Sequence, residues 1–297
     1  MAHSRKKAWS ALRIKKYALL VGCVLLVCLI AVLIYTFIIV PSKAYKEGIS
    51  LENAGDYAAA AQRFEASGRY RDSKERVDSC YEALYGANAY NTLKDLSAGS
   101  LFKFGSYEQD NDPTNGAESI EWIVLDKNGS ELLLISRFGL DCQLYNTQYT
   151  SITWDSCSLR KWLNSEFLIS AFSEAEIASI RDTIVFADEN PDYTTDAGKS
   201  TQDKVFLLSV SESRKYFTSD EGRVCIPTKY TLQKDIYMEE NLPGCLWWLR
   251  TPGDLQHYVS IVSGRGEVQT AGVNLCFDMC AVRPVLWLDL TKYYDEQ

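Results

Sequence analysis

Tyr17 to Val40 form an unbroken stretch of 24 residues without a charge, YALLVGCVLLVCLIAVLIYTFIIV. No other feature restricts the chain so strongly. About 20 apolar residues span a bilayer as a helix, so this stretch is long enough to cross with some tilt. A cleaved signal peptide has a shorter apolar region, about 7–15 residues, closed by a small-x-small site. Here the run is longer and gives onto Pro41-Ser42-Lys43. Leu20-Val21-Gly22-Cys23 fits the pattern for lipidation of a cysteine, but the apolar run continues for 17 residues beyond it. Cys23 and Cys28 therefore read as small apolar residues facing lipid. Six basic residues (Arg5, Lys6, Lys7, Arg13, Lys15, Lys16) precede the run, and only Lys43 and Lys46, with Glu47 between them, closely follow it. The positive-inside rule then places residues 1–16 in the cytoplasm and 17–40 across the membrane. Residues 41–297 are expected outside the cell membrane, in a single-pass arrangement.

That asymmetry sharpens the charge argument. The chain has 31 basic and 39 acidic residues. With the six basic residues of the tail set aside, 25 basic residues face 39 acidic ones, a net −14. Nucleic-acid binding needs a basic footprint, so no nucleic-acid partner is expected. There are two histidines, and His3 lies in the tail. His257 alone remains for the outer part, which excludes a His-rich zinc centre or an HExxH helix.

Residues 44–90 are rich in Ala, Glu, Arg and Tyr and contain no proline. Ile49 and Leu51 sit on a first helix that stops near Asn53-Ala54-Gly55. Asp56 is placed to cap a second helix carrying Tyr57, Ala60, Ala61 and Phe64 at helical spacing, and Gly68 to end it. Asp72 or Ser73 starts a third, with Val77, Cys80, Tyr81 and Leu84 on one face. The breaks Gly55-Asp56-Tyr57 and Gly68-Arg69-Tyr70 lie 13 residues apart. This segment resembles a tetratricopeptide-type helical hairpin. Such repeats run about 34 residues and need about three copies for a stable array, so one and a half units read as a stalk.

From Leu101 the pattern turns to strands. Ile120–Leu125 and Glu131–Ser136 read as a hairpin joined through Asp126-Lys127-Asn128-Gly129, with Asn-Gly as the turn signal. A helical stretch is expected over 158–167. Ser173 with Glu176 and Ser209 with Glu212 are capping boxes. Residues 188–203 are a polar surface loop. Strands follow near 205–209, 245–249, 258–262, 267–270 and 281–288. The fold class is α+β, with helices in the middle and an antiparallel sheet supplied from both ends.

Three separated stretches occur in a characteristic order. They are Phe104-Gly105-Ser106-Tyr107 with Ile120-Glu121-Trp122-Ile123, then Thr153-Trp154-Asp155 through Trp162-Leu163-Asn164, then Trp247-Trp248-Leu249-Arg250-Thr251-Pro252 with Val282-Arg283-Pro284-Val285-Leu286-Trp287. Together, over about 101–290, they resemble an uncharacterised domain family of bacterial surface proteins. A Trp-rich strand with Leu-Arg, a hairpin and an Arg-containing last strand also look like the C-type-lectin-like fold, in the version of the formylglycine-generating enzymes. The resemblance implies that the segment 251–280 forms an exposed ligand surface.

Candidate ligand-binding residues are drawn from that segment and from the strand that leads into it: Trp247, Trp248, Arg250, Asp254, His257 and Tyr258. Of two adjacent tryptophans on a strand, one is expected to face inward and one outward. Trp122, Trp162 and Trp287 fall in apolar runs and read as core. No Gly-x-Ser-x-Gly occurs, and His257 is the one base available to a nucleophile, so no catalytic residue is assigned. Seven cysteines lie outside the span: Cys80, Cys142, Cys157, Cys225, Cys245, Cys276 and Cys280. Six of them belong to the large domain and allow 15 pairings. On one strand Cys276 and Cys280 would lie roughly 13 Å apart, too far to bridge. Glu108, Asp110 and Asp112, and Asp188, Glu189, Asn190 and Asp192, offer hard oxygen ligands for calcium, although neither loop has the EF-hand spacing. No resident cofactor or metal is assigned. The expected function is non-enzymatic recognition of a glycan, peptide or protein ligand. The alternatives are an oxidase related to formylglycine-generating enzymes and a scaffold acting through the hairpin.

Overall fold

The computed structural model describes residues 22–295 apart from Asp235 and Pro243. The basic tail, residues 1–16, and the first five residues of the apolar run lie outside the described residues. The chain divides into two compact units, one ending at Ala87 and the other beginning at Asn88.

In the first unit a single helix, Gly22–Asn53, is long and apolar enough to cross a membrane, and its apolar stretch buries nothing against protein. Its turns are π-helical at Tyr35–Ile39 and α-helical from Val40, with Pro41 in the opening turn of that segment. Inside a helix a proline removes one backbone hydrogen bond, and the π-helical turn directly before Pro41 is the local adjustment that lets the helix run on through it. The apolar run and the first hairpin helix are therefore continuous, where the sequence suggested two elements. Tyr57–Ala66 and Ser73–Tyr85 complete the hairpin. The Asp56 side chain accepts from Ala59 N at 3.1 Å, the expected cap. Tyr45, Ala60, Ala61, Phe64 and Cys80 form the small core. A Cβ at Gly48 would stand 2.7 Å from the Phe64 ring, so glycine is what lets that ring pack flat on the first helix. Val77 and Tyr81 pack on this core, whereas Leu84, placed on the same face by its spacing, is exposed.

From Asn88 the second unit opens within a helix, Ala87–Asp95. Lys127 Nζ donates to its end, at Leu93 O and Leu96 O, and Thr92 hydrogen-bonds Tyr294. Twelve strands follow: β1 (Leu101–Tyr107), β2 (Glu118–Asn128), β3 (Glu131–Ser136), β4 (Asp141–Cys142), β5 (Thr183–Val185), β6 (Thr201–Asp203), β7 (Val205–Phe206), β8 (Trp247–Pro252), β9 (Tyr258–Val262), β10 (Val268–Asn274), β11 (Ala281–Val282) and β12 (Val285–Asp289). They form two five-stranded sheets, ordered β1-β2-β3-β12-β7 and β10-β9-β8-β11-β4, and the β5-β6 pair. The first sheet takes strands from both ends of the domain, as expected. The second departs from the antiparallel expectation, because β11 runs parallel to β8 at Ala281↔Trp247.

Local signals set several details. Both capping boxes form, at Ser173 with Glu176 and at Ser209 with Glu212. The β2–β3 turn centres on Gly129-Ser130, with Asn128 paired to Glu131. Gly129 has φ 59°, the first-position geometry of a II′ turn, so the turn sits one residue later than the Asn-Gly reading. The single strand read over 281–288 is two strands in different sheets, β11 and β12. The break falls at Arg283-Pro284, where proline offers no N–H to a ladder and Pro284 O accepts from Ser136 N.

Candidate functional site

Strand β8 is buried at every position. Trp247 and Trp248 are both at 0 % exposure, which corrects the expectation that one faces outward. The physical reason is that β8 is central and covered on both faces. Trp247 Nε1 donates to Arg223 O at 3.1 Å and the Arg283 guanidinium lies over its ring. Trp248 Nε1 donates to Gln143 O at 2.9 Å, and Tyr145 packs on it. Arg250 is buried too, with its guanidinium paired to Glu212 and donating to Leu207 O. Glu212 is the capping-box carboxylate of the Val210–Tyr216 helix, so Arg250 locks that helix to β8. None of these three candidates presents a surface to a ligand.

Asp254, His257 and Tyr258 stand at the β8–β9 turn, where four loops meet. Leu275 N donates to His257 O and Asn146 N to Leu275 O, both at 3.1 Å. Gln256 exchanges hydrogen bonds with Asp196 in the 186–200 loop. His257 packs edge-on against Tyr149 at 4.9 Å and Tyr258 at 5.1 Å, with Tyr149 61 % exposed. The 186–200 loop is held by Asn190, whose Nδ2 donates to Pro252 O and Thr270 O, and by Thr195 on Gly253 O. It lines a hollow of about 530 Å³ whose wall includes Glu189, Asp192, Tyr193 and Asp196.

A second hollow, of about 330 Å³, opens beside the Ser158–Trp162 helix. Its apolar floor is Leu144, Leu159 and Trp162, and its rim includes Gln143, Lys161 and Glu166. Trp162 lies in an apolar run that predicts a core position, yet it is half-buried and packs one side on Phe167 at 5.4 Å. The indoles of Trp122, Trp154, Trp247 and Trp248 all donate to protein acceptors. Those of Trp162 and Trp287 have no such partner among the described residues, and Trp287 too is half-buried rather than core. The signal in the sequence for Trp162 was the company it keeps, since Lys161, Ser165 and Glu166 surround it in the chain.

Gln143 is held from behind. Its Nε2 donates to Asp141 Oδ1 at 3.3 Å, and Asp141 is 1 % exposed. Lys234 Nζ and Tyr107 OH donate to the same carboxylate, at 2.6 and 2.5 Å. Burial and the Asp141 charge push the Tyr107 hydroxyl far above the usual phenol range. Burial works against the Lys234 charge, but the Asp141 contact outweighs it and raises that ammonium.

The calcium loops resolve differently. Glu108 and Asp110 come together with Glu118, which the sequence reading did not include, their carboxylate oxygens within 4.8 Å of one another. These carboxylates already accept backbone N–H groups of their own turn, Glu118 from Gln109 and Glu108 from Asp112. Asp112 caps Thr114 instead. In the second loop Asp188 accepts from Ser211 and Asp192 from Thr270, so they face different partners. The Cys276 thiol donates to Asn146 O, and Cys280 is fully buried.

Fold and loops together define an α+β domain of two sheets, with its loops gathered around the β8–β9 turn and a Trp-floored hollow at the central helix. Residues 128–290, more than half of the chain, match the family described as a domain of unknown function, DUF6273, and the protein belongs to that family. No curated protein and no solved structure matches the chain. The family match begins at the last residue of β2, although β1 and β2 complete the same sheet as β3.

Proposed function

We propose that the protein is a single-pass bacterial surface protein whose outer domain recognises a ligand without catalysing a reaction, and that the ligand is a neutral saccharide. The observation that carries this reading is the Trp162 hollow. Its floor offers an indole face with a free N–H, suited to the C–H face of a sugar ring. Its rim offers the Gln143 amide, oriented by buried Asp141, and the opposed charges of Lys161 and Glu166, so neither an anion nor a cation is favoured overall. A volume near 300 Å³ is at the low end of small-ligand sites and matches one or two sugar rings better than a peptide segment. Asp254, His257 and Tyr258 form the neighbouring loop surface, where a longer glycan or a protein partner could extend.

The topology belongs to the same proposal. Charge asymmetry around the Gly22–Asn53 helix supports a cytoplasmic tail at 1–16 and an outer part from residue 41. The small residues Gly48, Ala60 and Ala61 against Phe64 support a tetratricopeptide-like hairpin over 44–90. The order β8, β9, β10 and then β11, which ends just before Arg283, supports a C-type-lectin-like architecture over 101–290. The test is full-length protein in detergent on a glycan array, with and without calcium, beside Trp162→Ala and Trp162→Phe. Saturable glycan binding that Trp162→Ala abolishes and Trp162→Phe largely keeps is the expected result. Folded protein that binds no glycan, or binds equally well as Trp162→Ala, overturns the saccharide reading.

A further inference from the structure

Cys225 and Cys245 are both at 0 % exposure and stand at the two ends of one connecting segment, one after the Asp220–Arg223 helix and one before β8. Cys245 N donates to Cys225 O at 2.8 Å. With N–Cα near 1.46 Å and about 2.4 Å from a carbonyl oxygen to its own Cα, their Cα atoms lie at most about 6.7 Å apart, inside the span a disulfide uses. Their sulfurs meet as well. A Cβ placed on Gly139 would stand 3.5 Å from Cys245 Sγ and 3.6 Å from Cys225 Sγ, so both face one point. The same Cβ would be 2.8 Å from Ala281 Cβ, and any side chain at 139 would crowd the space in which the sulfurs lie. The Cys245 thiol donates to Cys225 O at 3.3 Å, and the Cys225 thiol to Ile226 O at 3.8 Å.

The charge beside them is unusual. Arg283 is 1 % exposed, its Nη1 has no hydrogen-bond partner, and it forms no ion pair with a carboxylate among the described residues. Its Nε donates to Ser136 O, and Phe217 and Trp247 lie against it. An arginine stays charged when buried, and a buried charge calls for an opposite one. Cys225 and Cys245 are the ionisable groups that act on it. The Cys245 hydrogen bond draws the Cys225 thiol below its ordinary range, against burial and with help from the Arg283 charge. Cys245, as donor and buried, is held well above its own.

We infer that Cys225 and Cys245 are a dithiol built to close into a disulfide that ties the 225–245 segment to the start of β8. While the segment is still folding and the pair is open to solvent, Cys225, as thiolate, attacks a small-molecule disulfide such as oxidised glutathione and expels one thiolate. The Cys245 sulfur then attacks Cys225 Sγ in the mixed disulfide and expels the second. Two electrons leave the cysteine pair, and its two thiol protons end on two glutathione thiols. Closure in the cell rests on the outward topology proposed above, because an oxidising exterior is where disulfides persist; the pairing itself does not.

The test uses the full chain in two arms. In one, protein from bacterial membranes is unfolded, alkylated with and without prior reduction, and mapped by peptide mass spectrometry. In the other, purified reduced protein is refolded in a glutathione redox buffer and mapped in the same way. Linked Cys225 and Cys245 peptides in both arms are the expected result, with Cys225→Ser and Cys245→Ser each leaving the other thiol alkylatable. Linkage after refolding but free thiols from membranes supports the dithiol and counts against the outward topology. Free thiols in both arms, or linkage of either to Cys142 or Cys280, overturn the pairing.

Discussion

Strand β8 and the Ser158–Trp162 helix both carry tryptophan, and they treat it in opposite ways. On β8 the two indoles are closed on every side and their N–H groups are used by backbone carbonyls. On the helix, Trp162 leans on Phe167 with one face, leaves the other to a hollow and keeps its N–H free. Residue type alone does not separate a core residue from a binding one. What separates them is whether the polar tip of an amphipathic side chain has been satisfied by the protein.

The largest expected effect lies on β8. Trp247→Ala removes a fully enclosed side chain and exposes the Arg283 charge, so the second unit should lose about 3–5 kcal/mol, read by chemical denaturation. An unchanged midpoint would place Trp247 outside the core and erase the contrast with Trp162. Next comes the Arg250–Glu212 pair, whose arginine is 4 % exposed while its glutamate is 31 % exposed. Removing one partner of a buried pair is strongly destabilising, about 3–5 kcal/mol when both are enclosed. Glu212→Gln should cost less, about 2 kcal/mol, because Glu212 is partly solvated and the amide keeps one bond to Arg250.

A pH effect is smaller and sits beside the hollow. Cys157 caps the Ser158–Trp162 helix, accepting from Arg160 N, and burial pushes its thiol up to about 12. The folded value is raised, so its contribution is fully present below the unfolded thiol range, near 8.5. It is lost as pH rises from there towards 12, at a limiting slope of about 1.4 kcal/mol per unit. Cys157→Ser keeps a cap and should flatten that alkaline loss, and an unchanged slope would remove Cys157 as its source. The smallest stability effect is expected at Trp162→Ala, below about 1.5 kcal/mol given its open face, together with at least tenfold weaker glycan binding. If Trp162→Ala instead unfolds the domain as Trp247→Ala does, the two tryptophans are alike and the contrast fails.

Much of the architecture was legible because its causes are local. The uncharged run from Tyr17, the Asp56 cap, the break at Gly68 and the two capping boxes depend on residues a few positions apart. The cap, the break and the boxes stand where the spacing put them, and the described part of the apolar run, from Gly22, is helical but continues unbroken to Asn53. The candidate site was legible only in part. Asp254, His257 and Tyr258 do lie in a turn where loops converge, but Trp247, Trp248 and Arg250 went inward. A period of two orients adjacent strand residues to opposite faces, and it cannot tell whether the outer face is then covered.

The sequence by itself determined that a long apolar helix leads into a helical hairpin and an acidic α+β domain. It determined too that a single histidine serves the described part of the chain. Only the tertiary structure decided that β8 is enclosed on both faces, that Trp162 keeps an open face and a free N–H, and that Glu118 joins Glu108 and Asp110. It also decided that, of 15 possible pairings, Cys225 meets Cys245 over Gly139. The reason is physical. Caps, turns and apolar periodicity act over a few residues, whereas burial and pairing depend on which distant segments the sheets bring into contact.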